Sequence, residues 1–408
     1  MSEDMPSVGL CHIALRGDSA RECPRVFLSR DVIVPIPTKT PTLDELKAVT
    51  TLRQLAPLLS LKPAVLAMQL YKKDKKTAWY TTFNIPKRYG GVRTIHAPEP
   101  YLKLLQTRLS HILQNCQQEI AALHGHQESA DQQGIAHGFK RHHSIMTNGR
   151  PHVGRRYVFN VDLQDFFGTI HFGRVRAFFI KNKNFSLHPK IAEIFAHIAC
   201  FQGKLPQGSP CSPIISNLIA HSMDIRLAQV TEQYGISYTR YADDLTFSSN
   251  LKIFPQNIAK QLSEHKWSVG KHLNHVIEKS GFVVNPKKTR MQYRDSRQEV
   301  TGLTVNHKVN VTATYRYTTR AMVDRLFKTG TFSFIYKTTD ALGLSTTHET
   351  LGTPEQLLGR LNHIDQVDLF NERLRKTNGL KPYEIPGRLK LFRRFLYFYH
   401  FYAPAQPV

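Results

Sequence analysis

Nothing in this sequence spaces its cysteines for metal binding or redox work. The five, Cys11, Cys23, Cys116, Cys200 and Cys211, are widely scattered and form no C-x-x-C pair, so they read as reduced, small side chains rather than as a zinc site or a dithiol. The histidines include the pair His142-His143, but no matching cluster of ligands accompanies it. Long apolar runs are absent too. No stretch approaches the roughly 18 residues needed to span a bilayer, which argues against a membrane partner. The opening Met1-Ser2-Glu3-Asp4 lacks the positive charge of a secretory signal or transit peptide, so the expected location is cytoplasmic. Acidic residues are scarce as well. Asp and Glu number 31 against 55 Lys and Arg, a formal charge of +24 over 408 residues. An excess of that size is foreign to an enzyme of small metabolites and favours a polyanion, with nucleic acid first. With 41% hydrophobic residues the chain should be globular, and its length allows two or three subdomains.

What is present centres on Ser237 to Ser248, SYTRYADDLTFS. Polar and apolar residues alternate on either side of Asp243-Asp244, which reads as strand, tight turn, strand, with the acids at the tip. Adjacent carboxylates repel, and a hard divalent cation such as Mg²⁺ relieves that repulsion. An exposed hairpin with ordinary acidic turn residues is the competing reading. Upstream, Tyr157 to Ile170 is an apolar strand delivering Asp162 at its end, followed by Asp165, Phe166 and Phe167. Asp162 could equally cap the next turn. Between these lies Leu205 to Asn217, LPQGSPCSPIISN, a preshaped loop that could present Gln207 to a ligand or equally be an ordinary turn, with a helix opening at Pro213.

Residues 1–41 read as a loosely structured arm. A capping box, Thr42 to Glu45, opens a helical pattern through Leu59, and a second helix starts at Pro63 and runs to about Tyr71. Tyr80 to Ile95 reads as a basic hairpin turning at Gly90-Gly91, which can fold over a triphosphate with Lys87 and Arg93 on its oxygens or stand simply as a solvated basic hairpin. A support helix follows from Pro100 to about Ile120. The segment Gly134 to Ile145 carries Phe139, Lys140 and Arg141 and could line a nucleic-acid channel, its cations on phosphate and its ring on a base or sugar. After Val300-Thr301-Gly302, read as strand, a small hairpin turns at Asn306-His307. Helical patterns follow at about 314–328, 354–375 and 387–402, the last basic and aromatic through Arg388, Lys390, Arg393 and Arg394.

Taken together and in order, Phe159 to Phe167, Leu205 to Asn217 and Tyr241-Ala242-Asp243-Asp244 resemble the three central palm motifs of reverse transcriptases. Gly281 to Thr289, with Lys288, is similar to the next motif. Asn148-Gly149-Arg150-Pro151-His152 resembles the Asn-Ala-x-x-His element of the retron subgroup, with Gly149 in place of Ala, and Val300-Thr301-Gly302 matches that subgroup's Val-Thr-Gly. The resemblance implies an α+β right-hand polymerase with fingers, an antiparallel-sheet palm and a helical thumb. Its expected parts are an N-terminal extension (1–41), helices and fingers (42–145), a palm (146–311) with inserted finger helices (about 173–204), and an RNA-binding thumb (312–408).

The resemblance also implies roles. Asp162, Asp243 and Asp244 would be the catalytic metal ligands for two Mg²⁺ ions, with Mn²⁺ a possible substitute. Phe167 would exclude a 2′-hydroxyl, Gln207 would contact the nucleotide, and Lys87, Arg93 and the backbone near Asp165 would hold the triphosphate, with Lys288 adding charge. Lys140, Arg141, Arg388, Lys390, Arg393 and Arg394 would contact nucleic acid. Retron enzymes copy part of a dedicated structured noncoding RNA from dNTPs, priming from a 2′-hydroxyl, to give branched RNA-linked DNA (msDNA), and commonly work with an effector protein in phage defence. The alternatives are another bacterial reverse transcriptase, such as a group II intron relative, or a structural RNA-binding protein with a vestigial site. Against the intron relative, the chain stops soon after the expected thumb and leaves no room for an endonuclease module.

Overall fold

Strand β3 (Tyr157–Leu163) carries two different faces on one backbone, and the rest of the molecule follows from them. In a strand alternate residues point to opposite sides. Phe159, Val161 and Leu163 therefore share one side and enter the main hydrophobic core, while Val158, Asn160 and Asp162 share the other. The computed structural model describes residues 40–71, 79–86, 91–123, 134–264, 266–339 and 345–378.

Around β3 lies a four-stranded antiparallel sheet in the order β4 (Ser237–Tyr241), β5 (Asp244–Ser249), β3, β8 (Val284–Tyr293). Register fixes which residues meet. Asp162 lies opposite Asp244, and Phe159 lies opposite Phe247. On the core side Phe247, Leu245 and Tyr238 join Phe159 and Val161. Each such ring or aliphatic side chain withdrawn from water contributes about 1.5–3 kcal/mol. Helices α6 (Phe172–Lys181), α7 (Pro189–Ala199) and α8 (Ser212–Glu232) cover that side. The support helix expected from Pro100 is α4 (Pro100–Leu123), with Leu105, Leu109 and Leu113 in the same core.

At the N-terminal end the single helical pattern expected from Thr42 to Leu59 is two helices, α1 (Leu43–Lys47) and α2 (Leu52–Leu58). Thr51 stands extended and takes the Gln54 amide on its hydroxyl, a second capping box that starts a new helix instead of continuing the first. α3 (Pro63–Tyr71) matches expectation. Strands β1 (Tyr80–Pro86) and β2 (Val92–Pro98) form the expected hairpin.

Between β5 and β8 the chain adds a small hairpin, β6 (Ala259–Ser263) with β7 (Lys266–Val269), and helix α9 (Lys271–Lys279). Val300-Thr301-Gly302 is not a strand. β9 (Glu299–Val300) and β10 (Leu303–Thr304) are joined by a tight turn in which Thr301 and Gly302 have φ of 47° and 82°. The left-handed pair cannot continue a strand. The loop at Asn306-His307 does close as expected, through a reciprocal backbone pair between Thr304 and Asn310.

Helices α10 (Ala313–Thr329) and α11 (Pro354–Thr377) form the described part of the C-terminal region together with one hairpin. They pack through Val323, Leu326, Leu357 and Leu361. The expectation of an entirely helical region is corrected. Gly330 at φ 72° stops α10, and a two-stranded hairpin, β11 (Ser333–Thr339) with β12 (Ser345–Leu351), separates the helices. The adjacent β-branched residues Thr346 and Thr347, like Thr338 opposite Thr346, suit a strand and disfavour a helix. The architecture is thus α+β. The expected arm up to residue 39, the fingertip Lys87, and the expected helix 387–402 with Arg388, Lys390, Arg393 and Arg394 lie outside the described residues.

Candidate active site

The side of the sheet facing away from the main core is covered at one end and open at the other. At the covered end, α5 (Ile145–Gly149) and a short turn (Arg150–His152) lie against β4 and β5. His152 is fully buried and joins the two strands: Nδ1 meets Ser248 Oγ at 2.7 Å and Nε2 meets Thr239 Oγ1 at 2.8 Å. Burial, then the neighbouring His137 and Arg155, push its pKa down to about 3, so the ring is neutral. Asn148 is buried beside it, and its backbone carbonyl accepts from Thr239 Oγ1 at 3.5 Å. Val300 packs with Val158 and Val305, and Thr301 Oγ1 donates to Ile145 O at 3.5 Å. Asn148, His152, Val300 and Thr301, far apart in sequence, therefore form one layer behind the sheet, with Gly302 in the turn that follows.

At the open end the structure brings Asp162, Asp243 and Asp244 together, although Asp162 and Asp243 are 81 residues apart. The Leu163 amide donates to the Asp243 carbonyl at 3.0 Å, locking the turn against β3. The acids of the turn hold their protons more tightly for this company. Asp243 is shifted upward by desolvation and then by Asp162. Asp244 is exposed as a whole residue, yet the protein crowded around its carboxyl, with the charges of Asp243 and Asp162, pushes it up to about 6.

Two groups from β8 answer Asp162: Lys288 Nζ donates to Oδ2 at 2.9 Å and Asn285 Nδ2 donates to Oδ1 at 3.1 Å. Burial works to lower the Lys288 pKa, but the bond to Asp162 and the charges of all three acids outweigh it and raise it. Among the described residues no three or more His, Cys, Asp or Glu side chains stand as a finished metal cage. The donor chemistry nevertheless fits a hard divalent cation, because three oxygen donors whose charges oppose one another are held on a rigid sheet.

Arg93 on β2 is exposed, and its charge reaches Asp243. Gln207 is held by its backbone, whose carbonyl accepts from the His96 amide on β2 at 2.8 Å. Gly208 permits this close approach, since a Cβ there would lie 2.6 Å from the His96 carbonyl oxygen. The same loop is fixed by Ser209 Oγ donating to Gln106 Oε1 at 2.8 Å, while Gln106 Nε2 donates to the Tyr80 hydroxyl at 2.7 Å. Asp165 is exposed at φ 45°, just past β3. Phe167 is half-buried, whereas Phe166 is buried and stacks on Phe282, as expected for an interior ring. Lys140 and Arg141 lie beside Phe139 in a shallow cleft against Gln114, Gln117 and Gln118 of α4.

Sequence reasoning missed the support beneath the Asp243-Asp244 turn. Arg240 is fully buried and donates through Nε and Nη2 to Asp224 of α8 at 2.8 and 2.7 Å, and through Nη1 to Asn217 Oδ1 at 3.1 Å and the Ala242 carbonyl at 3.0 Å. The Tyr238 hydroxyl also donates to Asp224, at 2.9 Å. An arginine at an inward position of a strand was the available signal, since a buried guanidinium requires a carboxylate.

A family profile described as "Reverse transcriptase (RNA-dependent DNA polymerase)" matches residues 85–312. The retron Mx65 reverse transcriptase of Myxococcus xanthus is 34% identical over 269 residues, 62% of this chain and 57% of that protein. The retron Mx162 reverse transcriptase of the same organism is 35% identical, covering 62% and 52%. The retron Ec86 reverse transcriptase of Escherichia coli is 31% identical, covering 58% and 66%. The chain thus spans about half to two thirds of these relatives' lengths. Among solved structures, a truncated apo telomerase from Candida tropicalis aligns at a TM-score of 0.36 and 13% identity, over 62% of this chain and 61% of that one. A Candida albicans telomerase in complex with a telomeric RNA fragment aligns at 0.39 and 10%, over 78% and 59%.

Proposed function

This chain belongs to the reverse transcriptase (RNA-dependent DNA polymerase) family, and from that membership we propose that it is the RNA-directed DNA polymerase of a retron. The observation that carries the reading is the convergence of Asp162 from β3 with Asp243 and Asp244 from the β4–β5 turn, in a cluster whose acids oppose one another's charge. Divalent cations, Mg²⁺ by preference and two in number, would be held by these three carboxylates and supply activation of the primer hydroxyl and neutralisation of the leaving pyrophosphate. Arg93 and the backbone at Asp165 hold triphosphate oxygens, together with Lys87 at the fingertip, and Lys288 adds charge nearby. Gln207 contacts the nucleotide. The Phe167 ring lies against its sugar and selects dNTP. The α10–α11 region grips the template–primer duplex by shape, phosphate and 2′-hydroxyl contacts.

The cognate substrate in this reading is a structured noncoding RNA, primed from an internal 2′-hydroxyl to give branched msDNA, with an effector protein and phage defence downstream in the cytoplasm. Support comes from the retron relatives and from the Asn148–His152 and Val300–Gly302 elements, which pack together as a single layer. Among the described residues no helix is long and apolar enough to cross a membrane. Changing Asp243 and Asp244 to Asn is expected to abolish dNTP incorporation while RNA binding persists; undiminished synthesis would sink the site. Sequencing co-purified nucleic acid should return one dominant branched species, and a diverse RNA population would count against the retron assignment.

A further inference from the structure

Residues 134–139 add an edge to the palm sheet that the strand pattern alone does not reveal. The His137 amide donates to the Arg240 carbonyl at 2.8 Å, the Arg240 amide donates to the Ile135 carbonyl at 2.8 Å, and Ala136 pairs parallel with Arg240. The backbone then crosses directly over the Tyr241-Ala242 turn. A Cβ on Gly138 would stand 2.6 Å from the Ala242 amide nitrogen, so glycine is required there. The Gly138 carbonyl accepts from Asn217 Nδ2 at 2.7 Å, and Asn217 in turn accepts from Arg240. One buried network thus fixes both the turn that carries Asp243 and the chain that crosses it.

The next residue, Phe139, is held in the left-handed region at φ 59° with 44% of its surface exposed. A bulky L residue pays a steric penalty in that conformation, and an exposed ring recovers little of it through burial. Strain retained at an exposed aromatic is a mark of a presented surface. Its ring centroid lies 6.3 Å from Phe167 and 6.5 Å from Tyr241, so three rings gather beside the Tyr241-Ala242 turn that leads into Asp243.

We propose that Phe139 is a specificity-determining wall of the nucleotide pocket: its ring packs on the nucleoside of the incoming dNTP, across from the sugar-facing Phe167. The proposal rests on the polymerase reading. An aromatic face in contact with a base or sugar loses affinity when removed, by roughly five- to a hundredfold per stacked base. Phe139→Gly and Phe139→Trp, assayed beside the parent chain, separate this role from packing. Glycine accepts φ 59° without strain, so the melting temperature of Phe139→Gly should hold or rise, while its KM for dNTP rises about tenfold or more. Phe139→Trp restores a ring and should keep KM near the parent value, and the primer–template Kd should be unchanged in both. If the parent chain incorporates no dNTP, the polymerase reading itself fails. With an active parent, an unchanged KM in Phe139→Gly overturns the proposal, as does a loss confined to the duplex Kd or one that merely follows a fall in melting temperature.

Discussion

Replacing Arg240 with methionine is expected to destabilise the protein by about 3–5 kcal/mol, the cost of stripping one partner from a buried ion pair. The structure justifies the upper part of that range. Arg240 and Asp224 are 0% and 1% exposed as side chains, and Arg240 makes four hydrogen bonds, two of them to Asp224. Without it, among the described residues, the Asp224 carboxylate keeps the Tyr238 hydroxyl as its hydrogen-bond donor. Against a typical total stability of about 5–15 kcal/mol, the loss approaches the margin of folding. The informative variant is therefore the pair Arg240→Met with Asp224→Leu. Removing both charges removes the orphaned carboxylate, and most of the lost stability should return. What does not return is the tether on the Ala242 carbonyl, worth about 1–3 kcal/mol as an unmet buried acceptor. The double variant should thus fold, yet incorporate dNTP more slowly, because the residue before Asp243 is no longer held. Urea unfolding of the two single variants and the double variant gives the coupling energy, and primer extension gives the rate. A loss below about 1 kcal/mol in Arg240→Met, or no recovery in the double variant, refutes the reasoning.

Further outcomes are expected elsewhere. Phe167→Ala should admit ribonucleotides, read as a fall in the ratio of dNTP to rNTP kcat/KM; undiminished discrimination removes Phe167 from the sugar contact. Gly149→Ala should stabilise by about 0.5–1 kcal/mol, because Gly149 is already helical at φ −73° and a Cβ would meet Val305 at an ordinary 3.4 Å; a lower urea midpoint contradicts this. Acid should weaken the fold through His152 and His137, both held near pKa 3 chiefly by burial. Below the unfolded value of about 6.5 the unfolded chain takes up protons that the native state refuses, so stability falls as pH drops from about 6.5 toward 3. At pH 5 each should cost roughly 2 kcal/mol, and His152→Asn should flatten the slope measured by urea midpoints.

Much of the site is legible in the sequence because its information is local. Alternation around Asp243-Asp244 and the apolar run before Asp162 each specify a strand within a few residues, and the strands bring the acids into range. The layer formed by His152, Thr239 and Ser248 is visible in sequence only as separate motifs, since its hydrogen bonds span 87 and 96 residues. The Arg240–Asp224 pair is hidden because α8 and β4 meet only once the sheet is packed. Sequence alone makes Phe139 a channel residue, but its position over the turn depends on Gly138 passing Ala242, a contact no pattern encodes. At the C-terminal end the helical patterns at about 314–328, 354–375 and 387–402 imply a purely helical region, although β-branched and aromatic residues within Ser333–Thr339, between the first two, favour strand.

The two faces of β3 have one more consequence. Because the side-chain period is two, a slip of one residue between β3 and β5 would drive Asp162 into the apolar layer occupied by Val161 and Phe159 and expose those side chains in its stead. An unpaired carboxylate in that layer is too costly to persist. Misaligned sheets are thereby selected against while the chain folds, so the acid proposed here as a metal ligand also rejects wrong alignments before any substrate arrives.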